Sequence, residues 1–136
     1  MADLVITASN VVPNTEAVVR EGTADDVITA GKWVYKDAAD NNYIKLADAD
    51  TEAMSQVVGM AVTGSSPGQP VKYVESGDVT IGSGFTEGIF YALSATAGGT
   101  APLGDLTTGQ YVTYVGMTKS STVFSIKVHA TGAQVP

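Results

Sequence analysis

No stretch of this chain carries apolar residues at 3.6-residue spacing over three turns, and its β-branched and aromatic runs are cut within a few residues by Gly, Pro or Ser. Without an apolar stripe a helix has nothing to bury, so helices cannot supply the core. The stretch VVGMAVTGSSPGQPVKYVESGDVTIGSG (57–84) shows the alternative, short strand-forming runs separated by turn formers. The pattern predicts an all-β single domain, a β-barrel or β-sandwich of short antiparallel strands with little or no helix.

The strands can be placed along the chain. AVVRE (17–21) and WVYKD (33–37) are rich in β-branched and aromatic residues, and the polar link AADNN joins WVYKD to YIKLA (43–47) as a hairpin. VVGMAVT (57–63) is apolar on both parities and reads as a strand buried on both faces. VKYV (71–74) and DVTI (78–81) are expected to form a compact hairpin through ESG, with Gly77 at positive φ. IFYAL (89–93) and YVTYVGM (111–117) follow, separated by SATAGGTAPLGDLTTG (94–109), read as a long loop of small residues. In SSTVFSIKVHA, Phe124, Ile126 and Val128 share one parity and Ser125, Lys127 and His129 the other, which describes a strand with one buried and one wet face. LADADTEAMSQ (46–56) has room for one helical turn, in which Ala53 and Met54 are placed to pack.

A device recurs at four points. Gly31, Gly68, Gly88 and Gly109 are each followed two residues later by an aromatic residue or Pro and then by strand residues. Each glycine is expected to end a turn at positive φ, with Pro70 taking a first strand position where no ladder donor is needed. The unequal spacing excludes a solenoid.

A chain of 136 residues fits one domain, and at that size roughly 65–70% of the unfolded surface is buried without staples. We divide it into an N-terminal strand or arm (1–16) and a β-domain (17–136). The sequence contains no cysteine, which excludes a disulfide framework and thiolate metal sites. Its formal charge of −7 opposes binding to phosphate backbones, so nucleic acid is not an expected partner. The first residues lack a basic segment followed by a long apolar one, and no apolar run reaches the length of a membrane span. The expectation is a protein made in a cytoplasm that does not enter a bilayer.

Reactive constellations are poorly supported. His129 is the sole histidine and falls on the wet parity of its strand, which reads as a solvated surface residue. Asp48, Asp50 and Glu52 alternate like the start of a calcium loop, but Ala53 and Gly59 occupy the positions that require Gly and Glu. GSG at 82–84 lacks the third glycine of a dinucleotide fingerprint, since Glu87 stands there. Neither a Gly-Lys-Ser/Thr phosphate loop nor a G-x-S-x-G elbow occurs. We therefore expect no catalytic residues, no metal and no cofactor, and a protein that is not an enzyme.

Several segments in succession resemble the small capsid cement, or head decoration, proteins of tailed bacteriophages. They are AGKWVY (30–35), KLADAD (45–50), VVGMAV (57–62), GQPV (68–71), SGDV (76–79), GIFYALSAT (88–96), GDLTTG (104–109) and VG (115–116). The resemblance covers roughly residues 15 to 132. It implies a non-enzymatic structural protein on the outer surface of a phage capsid, in the virion. Such a protein binds the major capsid protein after shell expansion and commonly forms trimers or clusters at local symmetry axes. No catalytic residues come with the family. The alternative is a receptor- or glycan-binding β-domain of a phage fibre or adhesin. That would need an exposed aromatic platform, and the dense group Trp33, Tyr35 and Tyr43 lies in a hairpin where core packing is the expected use. A hydrolase with spatially assembled carboxylates is a further rival. For the capsid or subunit interface, the candidates are Leu4, Val5, Ile6, Val11 and Val12, an apolar and β-prone set that forms either an arm available to a partner or a strand paired within the fold. The 94–109 loop is a second candidate.

Overall fold

A computed structural model describes residues 3–136. The chain is all-β. Among the described residues, ten strands run β1 (Val12–Pro13), β2 (Val18–Thr23), β3 (Trp33–Asp37), β4 (Tyr43–Leu46), β5 (Val57–Ala61), β6 (Pro70–Thr80), β7 (Phe90–Leu93), β8 (Thr100–Pro102), β9 (Tyr111–Thr118) and β10 (Val123–Gln134). Their order is β4-β3-β5-β6-β10-β9-β7-β8, with β1 and β2 also paired to β6, and every strand pairing is antiparallel. The helical content of these residues is three single 3₁₀ turns, one of them at Ala53–Ser55 inside the segment expected to hold a turn. Met54 packs there against the core, whereas Ala53 is exposed.

The strand-entry glycines behave as the sequence requires. Gly31, Gly68, Gly88 and Gly109 have φ of 93°, 87°, 81° and 89°, and β3, β6, β7 and β9 each begin two residues later. In the β3–β4 hairpin, Asn41 and Asn42 take φ of 55° and 59°, the left-handed region that Asn tolerates better than most residues. β5 is buried along nearly its whole length, as a strand apolar on both parities should be.

Two expectations are corrected. VKYV and DVTI are not a hairpin but parts of one continuous eleven-residue strand, β6. Gly77 does have positive φ, at 107°, yet it kinks the strand instead of reversing it. A β-carbon there would lie 2.9 Å from the Cα of Ala17. The register of β2 against β6 shifts between Val18 and Val19, leaving Glu75 as the extra residue of a bulge. Ser and Gly punctuate bulges as well as turns, so the local sequence did not separate them. In the second correction, the 94–109 segment contains β8 and a 3₁₀ turn (Leu103–Asp105). β8 is only three residues long, below the length at which alternation is visible, but Thr100, Ala101 and Pro102 are all buried against β7.

β6 organises the molecule. Its first half pairs with β2 and β5, and its second half with β10 and β1. The sheet curls at this crossing. At one end Asp25 N–H donates to the Ile44 carbonyl (2.9 Å), and Ala24 and Ile44 form a bridge that brings the β2 and β4 edges together. A small core fills this curl, with Ala24, Ile28, Val34, Ile44, Ala61, Val71 and Tyr73. The larger core lies around Trp33 and Phe124, whose rings meet edge to face at 5.8 Å, and includes Met60, Leu93, Val115 and Ile126. The Trp33 indole Nε1–H donates to Thr100 Oγ1 at 2.7 Å, giving a buried polar tip its partner.

Of the arm assigned to residues 1–16, residues 1–2 lie outside the described residues, and the rest forms a strap laid across this larger core. Leu4 N–H donates to the Thr100 carbonyl of β8 (2.8 Å), and Val12 pairs with Thr80 of β6. Residues 4–12 thus run from one strand of the sheet to another that is distant in strand order.

Candidate functional site

The outer face of β7, β9 and β10 carries a groove of about 520 Å³. Two cross-strand rows build it. One is Phe90, Met117 and Ser125, and the other contains Tyr114 and His129. Between them the backbone of Gly116 forms the floor, and a side chain there would point inward, toward the buried Phe124 ring. The glycine φ is 142°, and a β-carbon would stand 2.0 Å from the Ser125 carbonyl oxygen, so no residue with a side chain fits without moving the sheet. Register shifts on both flanks of β9, opposite Tyr91–Ala92 and Ile126–His129, set this local bend.

The walls are apolar but exposed. Phe90 is 59% and Tyr114 40% accessible. The Tyr114 and His129 rings stack, with centroids 6.5 Å apart and 23° between planes. Val128 and Lys127 complete the lining, and no carboxylate belongs to it. A partner covering Phe90 and Tyr114 would gain about 1.5–3 kcal/mol per fully buried side chain.

The five residues singled out in the N-terminal segment divide. Leu4 and Ile6 pack against the larger core and Val11 is within it. Ile6 sits over Gly31, where a β-carbon would come within 2.7 Å of its Cγ2. Val5 and Val12 point outward, 81% and 56% accessible. Trp33 and Tyr35 are buried and Tyr43 is half-buried, so that group forms core rather than a platform. His129 is exposed, as its parity required, and in addition forms half of the aromatic stack. Phe90, Tyr114 and Met117 were not found from the sequence. Their parity in the strand pattern was available, but nothing local distinguished an outward aromatic from an inward one.

Other polar features have structural partners. In DADTE, the Asp50 amide donates to Asp48 Oδ1 (2.9 Å) and the Met54 amide to Thr51 Oγ1 (3.2 Å), so the segment is a polar turn leading into the 3₁₀ turn. No group of three or more His, Cys, Asp or Glu among the described residues is placed to hold a metal. A polar groove of about 430 Å³ lies beside the 94–109 segment, with Asp3, Ser94, Thr96, Thr107 and Gln110 along it.

Lys45 gathers three carboxylates, with Nζ 3.0 Å from Asp37, 2.9 Å from Asp40 and 3.7 Å from Asp25. Hydrogen bonds to Asp40 and Asp37 hold its ammonium well above the usual lysine range, and the bond from Lys45 holds Asp40 below the usual carboxylate range. The lysine contribution is present at all pH values below the unfolded lysine pKa, so it is constant through neutrality. The Asp40 contribution is present above the unfolded carboxylate value, near pH 4, and is lost as pH falls through the depressed folded value. We therefore expect Lys45→Met to be less stable than wild type at pH 7, with the gap narrowing as pH falls below the ordinary carboxylate value, about 4. Urea melts on both sides of that value check it, and a gap independent of pH would show that the ion cluster is not its source.

In the comparisons with known proteins, no family model matches the chain, and no significant match is found among curated proteins or solved structures.

Proposed function

We propose that this protein is a non-enzymatic structural component of a tailed-bacteriophage virion. In this reading it decorates and stabilises the outer capsid surface by binding the major capsid protein, as a homo-oligomer placed at symmetry axes. The observation that carries the reading is the exposed apolar groove of Phe90, Tyr114 and Met117 on a body whose described buried side-chain polar atoms all have partners. A rigid β-scaffold presenting a partly apolar face suits a clamp that works by buried surface. The resemblance of the segments from 30–35 to 115–116 to capsid cement proteins points the same way.

A cement gains affinity by bridging neighbouring subunits, because two modest contacts held together act through effective concentration. Only an expanded lattice sets the bridged patches at the working distance. Co-sedimentation with expanded and unexpanded heads is expected to show binding at least tenfold tighter to the expanded form, with DNA release moved to higher temperature by linkage. Equal binding to both shells, or an unchanged release temperature, would refute the cement reading. In that case the stacked Tyr114–His129 pair would favour the fibre or adhesin reading, to be tested by glycan-array binding.

A further inference from the structure

We infer that the groove on β7, β9 and β10 receives an acidic segment of a partner protein, one that presents an aromatic or branched apolar side chain next to a carboxylate. Only the identity of that partner, the capsid protein, rests on the decoration reading.

Three observations lead to this chemistry. The groove is a slot whose floor is the Gly116 backbone, with Phe90 and Met117 on one side and the Tyr114–His129 stack on the other, so it fits an inserted side chain better than a flat face. Its lining includes two basic side chains, Lys127 and His129, and no acidic one, on a chain whose formal charge is −7. Lys127, like Lys32, Lys36 and Lys72, makes no ion pair among the described residues, and of these four it is the one that lines the groove. An apolar slot beside an uncommitted cation on an acidic protein selects an apolar side chain flanked by negative charge.

The same geometry argues against two other occupants. A second copy meeting this face about a two-fold axis would set Lys127 near its own image, and like charges across an interface oppose association. A neutral sugar needs several fixed polar groups for its hydroxyls, and among the described residues no hydrogen bond fixes the side chains of Tyr114, Ser125, Lys127 or His129.

His129 is the sole histidine, so its ring protons give one resolved set of NMR signals inside the groove. The probes are the blocked peptides N-acetyl-Asp-Phe-Glu-amide and N-acetyl-Lys-Phe-Lys-amide, added to the full chain. The acidic probe should shift the His129 and Tyr114 ring signals saturably, at least about threefold more tightly than the basic one, which is the scale of exposed charge pairs. The preference should fade in 0.5 M salt, as screening requires, by roughly the whole charge contribution. Lys127→Glu should invert it, and Tyr114→Ala should weaken both probes about tenfold. Both substitutions lie at exposed positions, and unchanged thermal melts would show that each variant is folded.

No saturable shift with either peptide, or equal shifts with both, would overturn the inference. So would a shift produced instead by a neutral oligosaccharide, or an oligomeric state that changes in Tyr114→Ala by sedimentation velocity, since either identifies a different occupant. Co-sedimentation of the same variants with expanded heads separates the two readings. If wild type and both variants bind heads equally, decoration stands and the groove is not its contact. If the acidic peptide binds as expected but wild type ignores heads, the groove chemistry stands and the decoration reading fails.

Discussion

Trp33→Ala is expected to remove a large part of the stability of this fold, about 3–5 kcal/mol, which is typical when a buried Trp or Phe is truncated to Ala. Domains of this kind have only about 5–15 kcal/mol to lose. Trp33 is fully buried, meets Phe124 edge to face and donates to Thr100, so the substitution opens a cavity and also leaves a buried hydroxyl without its donor. The melting temperature should fall by roughly 10–20 °C. Trp33→Phe keeps most of the ring volume and should recover the greater part, leaving about 1 kcal/mol for the lost hydrogen bond. Circular dichroism melts of the two variants measure this. A Trp33→Ala protein that melts within two or three degrees of wild type, on the order of the effect of a surface change, would mean that the indole is not at the centre of the core.

Deleting residues 1–12 is expected to destabilise the whole chain rather than remove a passive arm. The deletion withdraws Val11 from the larger core, strips Leu4 and Ile6 from its cover and unpairs the Thr100 carbonyl. At about 1.5–3 kcal/mol for each fully buried side chain, and less for the two that are partly exposed, the loss is on the order of 3–5 kcal/mol. The truncated protein should bind a hydrophobic dye and aggregate near its melting temperature, because the strap also covers the β8 edge. Loss of capsid binding in such a truncation would say nothing about where the contact lies. Val5→Ser and Val12→Ser are the informative substitutions, since both side chains point outward. A truncated chain with an unchanged melt would show that the strap is dispensable.

The fold class was legible because its signal is distributed. Each glycine of the strand-entry set sits where only positive φ will serve, and the alternation of Phe124, Ile126 and Val128 against Ser125, Lys127 and His129 survives in β10. What local reading missed was the same kind of thing each time. Ser76 and Gly77 mark a change of strand partner, and Thr100–Pro102 form a strand because β7 and the indole of Trp33 are beside them. Both are decided by residues distant in sequence. The candidate groove was illegible for a related reason. Phe90 and Tyr114 resemble core aromatics in composition and local pattern, and their outward direction follows from the register of β7 and β10 against β9, with bulges on both flanks.

The crossing strand has a mechanical meaning. The groove lies on β7, β9 and β10, while the smaller core is at the opposite end of the sheet order, and β6 supplies Val71 and Tyr73 to that core and pairs with β10 of the groove face. A pull on the groove passes from β10 into β6 through the ladder at Val123 to Ile126. From there it travels along covalent bonds past Gly77 to the β2 and β5 pairings. Side-chain packing between two separable halves does not have to carry it. Among the described residues one unbroken strand contributes to both cores, so whatever holds one end of it also holds the other.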